Sequence, residues 1–164
     1  MDTPAILVLT TGGTIDKHYF DALSEYQVVD SGIPALLKEA RVALPFRIEE
    51  VCRKDSLELT DADRAEIARR VAEAAETRIV ITHGTDTMTD TAKALAAIGG
   101  KTIVLTGALS PARFAETDAP FNLGMAFACA QVAPPGVYIA MSGQVFNGLK
   151  VRKDRAAGRF VAAG

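Results

Sequence analysis

Two threonines stand where short apolar runs give way to glycine-containing loops: Thr14 in Thr10-Thr11-Gly12-Gly13-Thr14-Ile15, and Thr85 in His83-Gly84-Thr85-Asp86-Thr87-Met88. Loops at the carboxyl ends of parallel strands surround the ligand crevice of an open α/β sheet, so hydroxyls on two such loops can converge on one bound molecule. A threonine hydroxyl becomes a nucleophile once a base takes its proton. Gly12 and Gly13 permit a tight strand-to-loop turn that aims a hydroxyl and backbone N–H groups into the crevice. Neither GxGxxG nor GxxxxGKS/T is present, which argues against a phosphate loop. Asp86 could serve as an acidic residue in the first turn of the following helix. Thr87, with Asp90 three residues on, is the better-placed cap and leaves Asp86 for another task.

The elements that must hold these loops alternate. Residues 5–10 form a continuous apolar run stopped by Gly12-Gly13, the pattern of a strand buried on both faces. Residues 11–29 lack a period and read as a loop carrying Asp16, His18, Tyr19 and Tyr26; long loops in compact domains are usually functional. A short helix is expected over 33–40 and a strand over 46–52. Thr60 with Asp63 is a capping-box-like start for a helix running to about Glu76 on Ile67, Val71, Ala74 and Ala75. Then follow a strand over 78–82, a helix over 88–98 ended by Gly99-Gly100, and a strand over 102–106. A helix opened by Asp118 and Pro120 runs to Gln131, and a strand covers 137–141. This alternation predicts right-handed crossovers and an α/β fold: a three-layer, mostly parallel, doubly wound sheet of the flavodoxin or Rossmann type. Asn147-Gly148 between two short apolar runs predicts a C-terminal β-hairpin that delivers Lys153 to a fixed place.

Composition narrows the class of partner. The chain has 164 residues, 49% of them hydrophobic, enough for one domain with a full core. A formal charge of -2 gives no general attraction for nucleic acid or an anionic membrane, which favours a small-molecule partner. Cys52 and Cys129 are far apart, lack metal-ligand spacing and read as reduced core thiols. The apolar run over 5–9 follows Asp2 and is too short for a signal-peptide core, and no run approaches membrane-spanning length. The expected location is the cytoplasm.

Thr-Gly-Gly-Thr-Ile, Ile-Thr-His-Gly-Thr-Asp-Thr-Met, Leu-Thr-Gly-Ala-Leu-Ser-Pro and Phe-Asn-Leu, in that order, resemble the amino-terminal domain of the bacterial-type L-asparaginases, and the likeness spans nearly the whole chain. The resemblance implies hydrolysis of L-asparagine to L-aspartate and ammonia through an acyl-enzyme, with little action on glutamine and no metal or organic cofactor. It makes Thr14 the nucleophile, Thr85 the group that activates or positions the attacking species, and Asp86 the partner of the substrate's α-ammonium. Lys153, counted from Asn147-Gly148, matches the lysine paired with the second threonine and aspartate; read alone it is a solvated charge among Lys150, Arg152 and Arg155. Ser56, in Lys54-Asp55-Ser56-Leu57, matches the serine that binds the α-carboxylate, and Asp55 and Gly13 complete the implied substrate contacts. Leu57 stands where the family often has a polar residue. A loop tyrosine holds the nucleophile's hydroxyl: Tyr26 matches the family spacing, whereas Tyr19 lies nearer Thr14. His83 is expected to orient the second loop through a backbone hydrogen bond.

Typical members carry a smaller second domain that completes a neighbour's site and supplies an acid to the tyrosine. The expectation here is a single amino-terminal-type domain over 1–164 without that second domain, working as a homodimer or homotetramer, with Asp16 or another loop carboxylate replacing the missing acid. Two other readings stay open. One is an asparagine- or aspartate-binding sensor without turnover, and the other is the ammonia-producing component of an amidotransferase acting on aminoacyl-tRNA.

Overall fold

A computed structural model describes residues 5–20, 23 and 25–163. In chain order its elements are β1 (Ile6–Gly12), β2 (Lys17–Phe20), β3 (Glu25–Val28), α1 (Ile33–Glu39), β4 (Phe46–Lys54), α2 (Asp61–Glu73), β5 (Arg78–Thr82), α3 (Met88–Leu95), β6 (Thr102–Thr106), α4 (Ala119–Val132), β7 (Gly136–Met141), β8 (Gln144–Asn147), β9 (Val151–Asp154) and β10 (Arg159–Ala162).

The central sheet runs β4-β1-β5-β6-β7-β8, with β8 antiparallel to β7 and the other neighbours parallel. Chain order reverses between β1 and β5, so the sheet has its topological switch point there, where a ligand crevice opens at the strands' carboxyl ends. Alternate residues of the strands feed two apolar layers. Leu7, Leu9, Ile79, Ile81, Ile103 and Leu105 pack with Ile67 and Val71 of α2 and Met88 and Leu95 of α3. Ile6, Val8, Val80 and Val104 pack with Ile33 and Leu37 of α1 and Leu123, Ala126 and Phe127 of α4. The three-layer, doubly wound expectation is therefore met. The capping box of α2 is also present, with Thr60 Oγ1 accepting from Asp63 N and the Asp63 carboxylate accepting from Thr60 N. Among the described residues no helix is long and apolar enough to cross a membrane.

Three local expectations are corrected. The 11–29 segment is not an open loop: it holds a 3-10 turn (Thr14–Asp16) and the hairpin β2/β3, whose register sets Tyr19 opposite Tyr26. Its strands are partly or fully exposed, so they carry no apolar alternation to read. Helices α2 and α3 stop short of the periodic residues beyond them, at Glu73 and Leu95. Asn147-Gly148 does not close a hairpin. Lys150 N donates to Asn147 O and Leu149 N to Asn147 Oδ1, a turn that carries the chain from β8 to β9 without pairing them. The hairpin turns lie elsewhere. One is at Ser142-Gly143, with φ of 55° and 76°, both positive as a two-residue hairpin turn requires. The other lies between β9 and β10, whose register sets Lys153 opposite the buried Phe160.

Candidate active site

Three loops leave the carboxyl edge of the sheet at the switch point, and two glycines let them touch. The pairing of β1 with β4 shifts register between Thr10 and Gly12, which turns the chain out of the sheet. Gly13 follows with φ +85°, and a Cβ there would lie 2.6 Å from Gly84 Cα, in the loop after β5. A Cβ on Gly84 would in turn lie 2.6 Å from Ser56 Cβ, in the loop after β4. Backbone contact among the three loops therefore depends on missing side chains. Gly13→Ala is expected to destabilise the fold by at least about 2 kcal/mol, from backbone strain plus the clash; urea unfolding measures it. The Gly13 N–H donates to Lys54 O at 2.9 Å, so this glycine gives the site space and not a free donor.

Thr14 opens the 3-10 turn that follows and lines a cleft of about 260 Å³ with Lys17, Tyr26, Ser110 and Phe114. Tyr26 is thus the tyrosine in Thr14's cleft. Tyr19 packs on it, ring centroids 5.0 Å apart, and the Phe114 ring stands 5.9 Å from that of Tyr26.

Thr85 is nearly buried, and Lys153 reaches it from β9. Lys153 Nζ donates to Thr85 Oγ1 and to Asp86 Oδ1, both at 2.8 Å, and Arg155 lies 3.6 Å from the same carboxylate oxygen. The Ser56 side chain is buried beside them. Its Oγ accepts from Thr87 N at 3.3 Å, and its carbonyl accepts from Thr87 Oγ1 at 2.8 Å. Thr87 does occupy the N-cap position of α3, but its hydroxyl crosses to the Ser56 loop and does not cap the helix. Asp55 accepts from Leu57 N at 3.1 Å and pairs with Lys17 Nζ at 2.7 Å. Burial pushes the Asp55 carboxyl up, but Lys17 and the Leu57 N–H outweigh it and hold it below its usual range. The Leu57 side chain is exposed.

His83 braces the second loop from inside. Its Nδ1 lies 2.6 Å from Gly84 O and its Nε2 2.7 Å from Thr91 Oγ1. A carbonyl only accepts, so Nδ1 carries the proton and Nε2 accepts from the Thr91 hydroxyl. Burial favours this neutral ring and pushes its pKa down to about 4, with the Gly84 bond opposing. Asp16 does not meet the expectation of a substitute acid at the tyrosine. It is buried and its Oδ1 accepts from Ser31 Oγ at 2.9 Å and Gly32 N at 3.2 Å, which ties the hairpin's base to α1. Burial raises its pKa to about 6 against these bonds and the Arg113 charge.

These two groups oppose each other in acid. Native Asp16 holds its proton to about pH 6 whereas the unfolded carboxyl releases it near 3.8, so its contribution to stability falls as pH rises through that window. His83 is protonated near 6.5 when unfolded and near 4 when native, so its contribution falls as pH drops through that window. The slopes cancel between about pH 4 and 6. Asp16→Asn should uncover the histidine slope, about 1.4 kcal/mol per pH unit, read as a steeper loss of urea stability on acidification than in the wild type.

Sequence reading missed the residues that hold the loop after β6. Asp118 accepts from Leu109 N at 2.9 Å and Ser110 N at 3.0 Å, not from the start of its own helix. Asn122, one turn on, donates to Gly107 O at 3.0 Å and Asp118 Oδ2 at 2.9 Å. An Asp and Asn four apart share a helix face, and that spacing was the available signal. Lys17 was also missed. Among the described residues no group of three His, Cys, Asp or Glu side chains could hold a metal ion, and both cysteines are free.

Comparison with known proteins places this arrangement among relatives. The family model described as Asparaginase, N-terminal matches residues 5–160. An L-asparaginase from Thermococcus kodakarensis is 33% identical over 163 residues, covering 93% of this chain and 48% of the relative. The solved structure of the thermostable L-asparaginase from that organism superimposes with a TM-score of 0.84 at 30% identity, over 96% of this chain and 51% of the other. A glutaminase-asparaginase from Pseudomonas fluorescens biotype A is 32% identical, over 90% of this chain and 45% of its own length. A glutamyl-tRNA(Gln) amidotransferase component from Pyrobaculum aerophilum is 34% identical, over 94% of this chain and 40% of its own length. The chain spans about half the length, or less, of these curated relatives.

Proposed function

The chain belongs to the asparaginase family, and from that premise we propose that it hydrolyses the side-chain amide of L-asparagine to L-aspartate and ammonia. Thr14 Oγ attacks the amide carbon, the C–N bond breaks as the nitrogen takes a proton and leaves as ammonia, and water then cleaves the acyl ester to restore the hydroxyl. Tyr26 holds the Thr14 hydroxyl, with Tyr19 packed on it. Thr85 and Lys153 activate or position the attacking group. Asp86 pairs with the substrate's α-ammonium, and Ser56, on the turn shaped by Asp55, receives the α-carboxylate.

The observation that carries this reading is Lys153 Nζ, on β9, set 2.8 Å from both Thr85 Oγ1 and Asp86 Oδ1, whose loop is in backbone contact with the one bearing Thr14. A lysine between a hydroxyl and a carboxylate suits proton transfer more than a structural ion pair, which needs no hydroxyl. Glutamine is a poor substrate in this proposal because one extra methylene displaces the amide from Thr14, a difference typically worth about 1 to 3 kcal/mol. Residues 1–164 act as one amino-terminal-type domain within a homodimer or homotetramer, which light scattering would test. Two unpaired cysteines support a cytoplasmic location. The deciding assay is ammonia release from L-asparagine and L-glutamine over a wide concentration range. Saturable release from asparagine is the expected result, and release from neither amide would overturn the proposal.

A further inference from the structure

The hairpin β2/β3 is a two-stranded sheet of its own, separate from the central sheet. Such a ribbon is marginal alone, so its position depends on side-chain ties to the body. At its base Arg113 donates to Asp16 O and Asp30 O, and further along Tyr26 packs on Phe114. Two ion pairs reach β4 and the loop after it: Arg53 to Asp30 at 2.5 Å, with both side chains largely exposed, and Lys17 to Asp55 at 2.7 Å. The second pair is the better shielded, at 23% and 33% side-chain exposure. It also has the more telling ends. Lys17 follows directly on the turn that begins with Thr14 and lines the same cleft, whereas Asp55 precedes Ser56 and fixes its turn through the Leu57 N–H.

We infer that the Lys17–Asp55 ion pair is a latch that holds the hairpin carrying Tyr26 against the Ser56 loop, which makes both side chains positioning residues for the proposed reaction. The kinetic part of this inference rests on the amidohydrolase reading, and the structural part does not. A substrate that binds only the latched form has its apparent affinity reduced by the fraction latched, while saturating substrate restores closure. Loss of the latch therefore raises KM and spares kcat.

The test compares wild type, Lys17→Met, Asp55→Asn and the exchange Lys17→Asp/Asp55→Lys. Two readouts are used: hydrogen exchange of the β2/β3 amides without substrate, and KM and kcat for L-asparagine at low and high salt. Each single variant should exchange about two- to fivefold faster across β2/β3 and raise KM by a similar factor, the size a partly exposed ion pair supports. The charge exchange should recover most of the hairpin effect, and less of the KM effect because the Leu57 N–H still loses its acceptor. Salt should raise the wild-type KM and leave that of Lys17→Met unchanged. Unaltered hairpin exchange in the single variants would overturn the latch whatever the activity. So would faster hairpin exchange in the single variants that the charge exchange fails to slow. Faster exchange in a protein whose wild type releases no ammonia would keep the latch and remove the amidohydrolase reading instead.

Discussion

Replacing Thr14 by alanine is expected to remove at least about a thousandfold of the asparagine-dependent ammonia release, while urea stability stays within about 0.5 kcal/mol of wild type. The two halves of this prediction come from one fact of geometry. Thr14 lies at the mouth of a cleft and is only partly buried, outside the two apolar layers, so its methyl and hydroxyl are spared without opening a cavity. The backbone turn is kept by Gly13 and by the bond from Asp16 N to Gly13 O, neither of which needs the threonine side chain. Ammonia release by Thr14→Ala above one tenth of wild type would show that another group is the nucleophile.

Lys153→Met should lower kcat by about a hundredfold to ten-thousandfold, the range for losing a general acid or base, with KM unchanged or lower. Methionine keeps an unbranched apolar stem of similar length and removes the ammonium that bonds Thr85 and Asp86. Asp86 then loses its nearest cation, Arg155 remaining 3.6 Å away on a largely exposed side chain, so the carboxylate is freer to meet an α-ammonium. Lys153→Arg separates charge from proton transfer. A guanidinium keeps the positive charge but does not deprotonate near neutral pH, so the arginine variant should be as slow as the methionine one. Recovery of more than tenfold in kcat by arginine would mean that Lys153 acts by charge alone.

The parts of this site that could be read from the sequence are those built by local chemistry. Thr14 and Thr85 stand next to glycines that end continuous apolar runs, and a run buried on both faces announces itself by composition. The helix cap at Thr60 and Asp63 is likewise a matter of three residues. What failed were features decided by distant partners. Asp118 and Thr87 have the spacing of helix caps, yet their side chains bond to Leu109 N and Ser56 O and make no cap bond to the helices they precede. Asn147-Gly148 has hairpin chemistry, but β8 was already taken by β7 and β9 by β10, leaving the dipeptide as a crossing between sheets. The Lys17–Asp55 pair joins residues 38 positions apart through an exposed hairpin with no apolar period, so no window of sequence contains its signal.

The register that sets Lys153 opposite Phe160 also decides what holds the ammonium in place. Thr85 and Lys153 meet across 68 positions of chain, and the ribbon that presents the lysine is anchored by Val151 and Phe160 in the layer formed by α2 and α3. The β1–β5 pairing that gathers the two threonine loops spans 72 positions, from Leu9 to Ile81, so every group of the site is brought together by distant parts of the chain. The lysine's place is set separately, by an apolar anchor in a layer that contains neither threonine. Truncating Phe160 would therefore loosen the ammonium while leaving both threonine loops on their strands.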